Sequence, residues 1–392
     1  MDFCGIICEF NPFHNGHKYL INQAKTKTGE KIICLMSGDF VQRGDPAFEE
    51  KYIRAKNAIN AGADAVLELP TIYACSNAES FAYGAIKILK ALGAKHIAFG
   101  IENTNLEVLE KIAEIKIKNS LEFQNCFKNE IENGINYNTA LKRAITKEIG
   151  TSDATEILAK PNNILAIEYL TAIKKLDTQI EPIAIPRIDN GYNSNLEKNE
   201  FLSASAIREK IYNGEDVSKF IPETNIKNSF LTKQIKEKFD TLAIFNLRNS
   251  PISSIAKCYD YNEGIEYRIK KLADNYSNLD ELCSAVSTPR YRLPRIKKLA
   301  IYPLLNITKS LVFLSKTTKP AVKVLAISKQ NKNILSEINK KHINLIVTNK
   351  DYETLSLAQK KIIEIDINAS NIYNLVIGKQ NNNDKKIGTL FL

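Results

Sequence analysis

Two of the chain's four histidines, His14 and His17, flank Asn15 and Gly16 directly after an apolar run, while His96 and His342 lie elsewhere. A His-x-Gly-His turn between a first strand and the following helix suits chemistry at the α-phosphate of a nucleotide. The residues Phe3–Phe10 read as a buried strand, and Asn15–Lys25 read as a helix with Tyr19, Leu20 and Ala24 on one face. Such a turn offers free backbone N–H groups and the positive helix end to an anion. Gly16 would let a phosphate approach the backbone, Pro12 would fix the turn leading in, and both imidazoles could donate to charge building on phosphorus.

The same pair could be half of a metal site or two exposed polar residues. No neighbouring Cys or His completes a tetrahedral set, because Cys8 belongs to the strand, so no metal ligands are assigned. The order strand, proline, glycine, helix favours nucleotidyl transfer.

These residues need a scaffold, and the chain's 392 residues suffice for two or three domains. No apolar stretch reaches membrane-spanning length, and Met1-Asp2-Phe3-Cys4 lacks the basic start of a signal peptide, so a cytoplasmic location is expected. Seven scattered cysteines, without a CxxC pair, read as reduced core residues.

Alternating strands and helices run through the first half. Candidate strands are Phe3–Phe10, Lys31–Met36, Ala65–Leu69, His96–Gly100 and Pro182–Ile185, separated by amphipathic stretches such as Lys51–Ala61, Glu79–Leu92 and Asn163–Lys175. The pattern predicts an α/β fold with a doubly wound parallel sheet, which binds ligands beyond the carboxyl ends of its strands. The His-x-Gly-His turn, the loop Ser37–Gly44 and Gly100 all fall at that edge, and Asp39, Gln42 and Arg43 give the loop polar groups suited to substrate or phosphate. Later, Ser203 reads as the N-cap of a helix running to about Asn213. Beyond capping, Ser203 and Ser205 with Arg208 could bind the β- and γ-phosphates of ATP.

Charge divides the chain at about residue 226. Residues 1–225 carry 26 Lys+Arg against 30 Asp+Glu, and residues 226–392 carry 28 against 14. Between Glu281 and Glu337 eleven cations occur with no acidic residue, among them Arg290, Arg292, Arg295, Lys297 and Lys298. A solvated basic face is the ordinary meaning of scattered lysines, but this run favours a polyanionic partner. The expected domains are a nucleotide-binding unit over 1–225 and a basic region over 226–392, helical to 315 with a small α/β unit over 316–392. The stretch Asn381–Lys386 reads as an exposed turn or disordered segment.

The run Gly5–His17, the loop Met36–Ala47, and the segments Ala61–Asp64, Glu68–Pro70, Ala98–Gly100, Pro161–Leu170 and Ser203–Arg208 together resemble the bacterial tRNA(Met) cytidine acetate ligase family. The order holds over residues 1–215, and looser matches follow at Thr288–Arg292 and Asp366–Ser370. The resemblance implies an enzyme that couples acetate to the N4 amine of the wobble cytidine of elongator tRNA(Met). Acetate would attack the α-phosphate of ATP, acetyl-adenylate would form, and N4-acetylcytidine, AMP and pyrophosphate would be released. His14 and His17 would stabilise the transition state, and magnesium (Mg2+) would neutralise the departing pyrophosphate.

By position, the resemblance places ATP against Ile7, Cys8, Glu9, Phe10, Asn11, Pro12, Phe13, His14, Asn15, Gly16, His17, Lys18, Tyr19 and Leu20, with Gly100, Asn162 and Arg187. The choice of Asn162 over Asn163 stays open. Ile101 stands where the family commonly has serine, so no polar contact is expected from that position. The tRNA would lie on the basic half, with Tyr291 among Arg290, Arg292 and Arg295 either as a stacking surface or as core, and Lys297 and Lys298 beside them. No obligate protein partner is evident. A cofactor-building adenylyltransferase would not need the basic half, an aminoacyl-tRNA synthetase would carry a Lys-Met-Ser-Lys-Ser-like loop, and a non-catalytic RNA-binding protein would not need intact His14, Gly16 and His17.

Overall fold

A computed structural model describes residues 2–102, 104–135, 137–149, 153–188, 200–222, 230–338, 342–379 and 384–392. Strand β1 (Phe3–Cys8) sits centrally because both its faces are apolar: Phe3 and Ile7 meet one core, and Cys4, Ile6 and Cys8 meet another. Around it lie β2 (Lys31–Ser37), β3 (Ala65–Leu69), β4 (His96–Ile101), β5 (Glu181–Pro186), β6 (Ala321–Ile327), β7 (Asn344–Ile346) and β8 (Leu390–Phe391). The sheet order is β5-β4-β1-β2-β3-β6-β7, with β8 also paired to β6. Strands β1 to β5 are mutually parallel, as the alternating pattern predicts. The order reverses between β1 and β4, and such a reversal opens a crevice beyond the strands' carboxyl ends.

Helices cover both faces. Asn15–Thr28 contributes Ile21 and Ala24, and Lys51–Asn60 contributes Ala55 and Ala58, to the core beside Cys4 and Ile6. Ala78–Leu92 and Pro161–Lys175 pack on the face of Phe3, burying Phe81, Ile88, Tyr169 and Ile173 among others. Helices dominate from Lys233 to Thr317, including Lys233–Asn249, Ile265–Ala273 and Leu293–Leu305.

The segment expected to form a separate small α/β unit does not stand apart. Strand β6 pairs antiparallel with β3, through Ala65 with Ile327 and Val66 with Ala326, and so extends the first sheet. The reason is physical: β3 would otherwise expose an unpaired edge, and β6 is a fully buried run, apolar except for Lys323, that covers it. The expected boundary at 225/226 lies outside the described residues.

A second departure concerns the Asn381–Lys386 stretch. Its first three residues lie outside the described residues, but Asp384 is buried rather than exposed. Its carboxylate stands 3.1 Å from the Lys51 ammonium and 3.0 Å from that of Lys323. Lys51, only 2% exposed, also meets Glu68 at 2.9 Å, Asp39 at 3.4 Å and the Ser370 hydroxyl at 2.8 Å. Ser370 in turn donates to Asp39, and Asp366 accepts from the Thr71 backbone N–H at 2.6 Å. The Asp366–Ser370 motif thus anchors the Leu357–Val376 helix to loops at the ends of β2 and β3.

Removing one member of a buried ion cluster leaves the remaining charges under-compensated, at a cost of about 3–5 kcal/mol. Lys51→Met is therefore expected to lower unfolding free energy by about that amount in urea titrations. A loss below about 1 kcal/mol, the range of an exposed ion pair, would contradict the cluster's structural role.

Candidate active site

A cleft of about 560 Å3 opens where the strand order reverses. From the Ile7–Leu20 segment it is lined by Ile7, Cys8, Glu9, Phe10, Asn11, His14, Gly16, His17, Tyr19 and Leu20. Pro12, Phe13, Asn15 and Lys18 do not line it. Phe13 is buried edge-on against Phe10, with ring centroids 4.8 Å apart, Pro12 is buried behind the turn, and Lys18 is exposed. Asn15 gives its side-chain amide to the carbonyls of Glu200 and Lys219.

His14 is the N-cap of the Asn15–Thr28 helix. Its Nδ1 accepts from the Gly16 backbone N–H at 3.1 Å, and the His17 Nδ1 accepts from the His14 backbone N–H at 3.3 Å. The result is a capping box built from imidazoles instead of Ser and Glu. A neutral imidazole that accepts at Nδ1 carries its proton at Nε2, so each ring offers one Nε2–H donor. The rings stack with centroids 3.7 Å apart. Burial holds both neutral: the His14 pKa falls to about 3, with Arg187 and Arg208 adding to the effect, and His17 falls well below its ordinary value, with His14 and Arg187 adding.

The expectation of free N–H groups at this helix start is corrected. The Asn15 N–H goes to the Phe220 carbonyl, that of Gly16 to His14, and that of His17 to the His14 carbonyl. An anion here meets imidazole and guanidinium donors instead. Gly16 serves the ring as much as the phosphate, since a Cβ would stand 2.9 Å from the His14 Cε1.

Gly100, Asn162 and Arg187 all line the cleft. A Cβ at Gly100 would meet the Arg187 Cγ at 3.2 Å, so the glycine leaves room for that side chain to cross. Asn162 donates to Glu102 at 2.8 Å, whereas Asn163 is fully buried with its amide bound to the backbone of Glu102 and Ile157. Of the two asparagines, Asn162 faces ligand space. Ile101 is buried, consistent with no polar contact there.

Ser203 caps the Ala204–Tyr212 helix by accepting from the Ala206 N–H, and Ser205 hydrogen-bonds to Ser203. Ser203 and Arg208 line the cleft and Ser205 does not. Arg208 donates to the Asn11 carbonyl at 2.6 Å.

The basic stretch is more neutralised than its sequence suggests, because its acidic partners lie outside the window. Arg295 forks onto the Asp260 carboxylate at 2.7 and 2.8 Å, Lys297 meets Asp280 at 2.6 Å, and Arg290 meets Glu263 at 2.5 Å. Arg292 reaches Thr139, and burial lowers the pKa of Lys298. Tyr291 is core: its ring is buried beneath the Arg295 guanidinium, 4.7 Å away, and its hydroxyl donates to Glu263. It presents no free face for stacking. None of these six lines the cleft.

Sequence reasoning missed Arg54, the fully buried guanidinium behind the site. It donates to the carbonyls of Glu9 at 2.6 Å, Ser37 at 2.9 Å and Glu49 at 2.9 Å, and to that of Gly38, tying the ends of β1 and β2 together. Nothing in a lone arginine on a helix distinguishes it from a surface charge. Gly16→Ala is expected to displace the His14 ring and weaken ATP binding by about tenfold or more in calorimetry, with the melting temperature nearly kept. Wild-type affinity would contradict the crowding argument.

The chain matches the model of the family HIGH Nucleotidyl Transferase over residues 1–387. Proteins named tRNA(Met) cytidine acetate ligase from Thermoanaerobacter sp. and Clostridium perfringens are 39% and 36% identical to it, over 96% of this chain and 95% and 96% of theirs. The crystal structure of Thermotoga maritima TmcAL bound with alpha-thio ATP is similar over the whole of both chains, with a TM-score of 0.89 and 27% identity. With its capped histidine pair at the strand reversal, the chain belongs to the HIGH nucleotidyl transferase family and groups there with the tRNA(Met) cytidine acetate ligases.

Proposed function

We propose that this enzyme joins acetate to the N4 amine of the wobble cytidine of elongator tRNA(Met), with acetyl-adenylate as intermediate and AMP and pyrophosphate as products. The observation that carries the reading is the pair of neutral imidazoles, His14 and His17, each holding its proton at Nε2 beside a cleft large enough for a nucleotide. A carboxylate is a poor nucleophile toward an anionic phosphate, so the catalyst must offset charge and align the reactants. Neutral donors meet that need without binding acetate as a competing ion. Arg187 and Arg208 supply the positive charge for the phosphates, and Ser203 stands at the same wall.

Gly100, near the carboxyl end of β4, and Asn162, in the first turn of the Pro161–Lys175 helix, would hold the nucleoside portion of ATP. Magnesium would arrive with the phosphates of ATP, whose oxygens are its usual ligands, and no protein ligand is assigned to it. Its charge would assist departure of pyrophosphate.

The +14 excess of residues 226–392 (28 against 14) supports an RNA partner, with exposed Arg290 and Arg292 as contacts whose weak surface pairings could be exchanged for phosphate. A wobble base lies in a single-stranded loop and can leave its stack without opening a duplex. The reaction would take place in the cytoplasm; among the described residues no helix is long and apolar enough to cross a membrane.

Protein incubated with ATP, magnesium, acetate and elongator tRNA(Met) is expected to release pyrophosphate and form N4-acetylcytidine, detected by nucleoside mass spectrometry. His17→Ala should lower both by about 100-fold or more. No acetylation by the wild-type protein would refute the reading. Binding of tRNA should weaken with salt, with a logarithmic slope of about −0.7 per phosphate neutralised, and Arg292→Ala should reduce that slope by about one contact. An unchanged slope would remove Arg292 from the RNA surface.

A further inference from the structure

The cleft has a second wall that phosphate chemistry leaves unexplained. It is formed by Glu9, Gln42, Phe81, Phe99 and Tyr169. Side chains of a strand alternate between faces, and Glu9 continues the parity of Phe3 and Ile7. That parity points toward the core containing Phe81, Phe99 and Tyr169, opposite the core of Phe10 and Phe13 on which the two histidines sit.

Glu9 and Gln42 are joined by one hydrogen bond: the Gln42 backbone N–H donates to the Glu9 Oε1 at 2.8 Å. Gln42 lines the cleft, and its buried Nε2 has no hydrogen-bond partner among the described residues, which leaves that donor available to a ligand. A carboxylate acceptor therefore stands beside an amide donor, against an aromatic wall in which the Phe99 and Tyr169 ring centroids are 5.7 Å apart. Cytosine presents the complementary pattern, a donor at N4 next to acceptors at N3 and O2. A carboxylate accepting from N4 is an established way of reading that base. Uracil reverses the pattern at positions 4 and 3, where it presents an acceptor and a donor, and keeps the O2 acceptor.

We propose that Glu9 and Gln42 read the Watson–Crick edge of the acceptor cytosine, and that Glu9 takes the proton lost from N4 during acetyl transfer. This rests on the ligase reading above. The bond from N4 to the acetyl carbon forms, the bond from that carbon to the phosphate oxygen of AMP breaks, and the electron pair leaves with AMP. The N4 proton passes to the Glu9 carboxylate and from there to solvent. Burial makes this carboxylate more basic than usual, while the Gln42 backbone N–H and then Arg208, Arg54 and Arg43 oppose the rise.

Two assays on the full chain separate the half-reactions: acetate-dependent exchange of pyrophosphate into ATP, and single-turnover transfer to elongator tRNA(Met) transcripts with cytidine or uridine at the wobble position. Glu9→Gln is expected to slow transfer by about 100-fold or more, and at least tenfold more than it slows exchange. Gln42→Leu should weaken binding of the cytidine transcript by about tenfold while leaving the uridine transcript's affinity as it was. Equal losses in exchange and transfer for Glu9→Gln, or an undiminished preference for cytidine in Gln42→Leu, would overturn the proposal. Wild-type protein inactive in both assays would overturn the ligase reading, and this proposal with it.

Discussion

The site depends on how one helix begins. A helix leaves its first backbone N–H groups without partners, and here the side chains that close the Asn15–Thr28 helix are the two imidazoles proposed for catalysis. Because the Nδ1 of His14 and of His17 is occupied as an acceptor, each proton must sit at Nε2. One pair of hydrogen bonds thus nucleates a helix, fixes two ring orientations and selects one tautomer. Burial, with Arg187 near both rings and Arg208 near His14, then keeps the rings neutral.

That arrangement survives only if the turn cannot drift, and the surrounding chain is organised to prevent it. Arg54 binds the carbonyls where β1 and β2 end, so the turn carrying His14 and the loop carrying Gln42 share one buried cation. Behind it, Lys51 gathers Asp39, Glu68 and Asp384, drawing the C-terminal Leu357–Val376 helix and the β6 region onto the same loops. The loop's Gly44 also packs on the backbone of Lys297 and Lys298 in the Leu293–Leu305 helix. The basic half is therefore packed directly onto the loops that carry the cleft.

Much of this was legible in the sequence. Strand positions, the parallel order of the first five strands and the His-x-Gly-His turn all follow from local pattern, because apolar alternation and helix boundaries are written in consecutive residues. What escaped was long-range pairing. The antiparallel joining of β6 to β3 links residues some 260 positions apart in the pairing of Ala65 with Ile327, and the neutralisation of Arg290 and Arg295 depends on Glu263 and Asp260 outside the basic window. Tyr291 shows the limit most clearly: an aromatic among arginines fits RNA stacking as well as it fits core, and only the Arg295 guanidinium over its ring settles which. Free N–H groups at the helix start were expected from general helix geometry, which does not reveal that His14 and the distant Phe220 carbonyl occupy them.

The central claim is that His14 and His17 act as neutral Nε2–H donors fixed by their own helix cap. Nitrogen-15 NMR of imidazole-labelled protein reads both protonation state and tautomer directly. The account predicts that both rings stay neutral and Nε2-protonated from pH 5 to 8. A ring that titrates near its ordinary value of about 6.5, or that carries its proton at Nδ1, would contradict it.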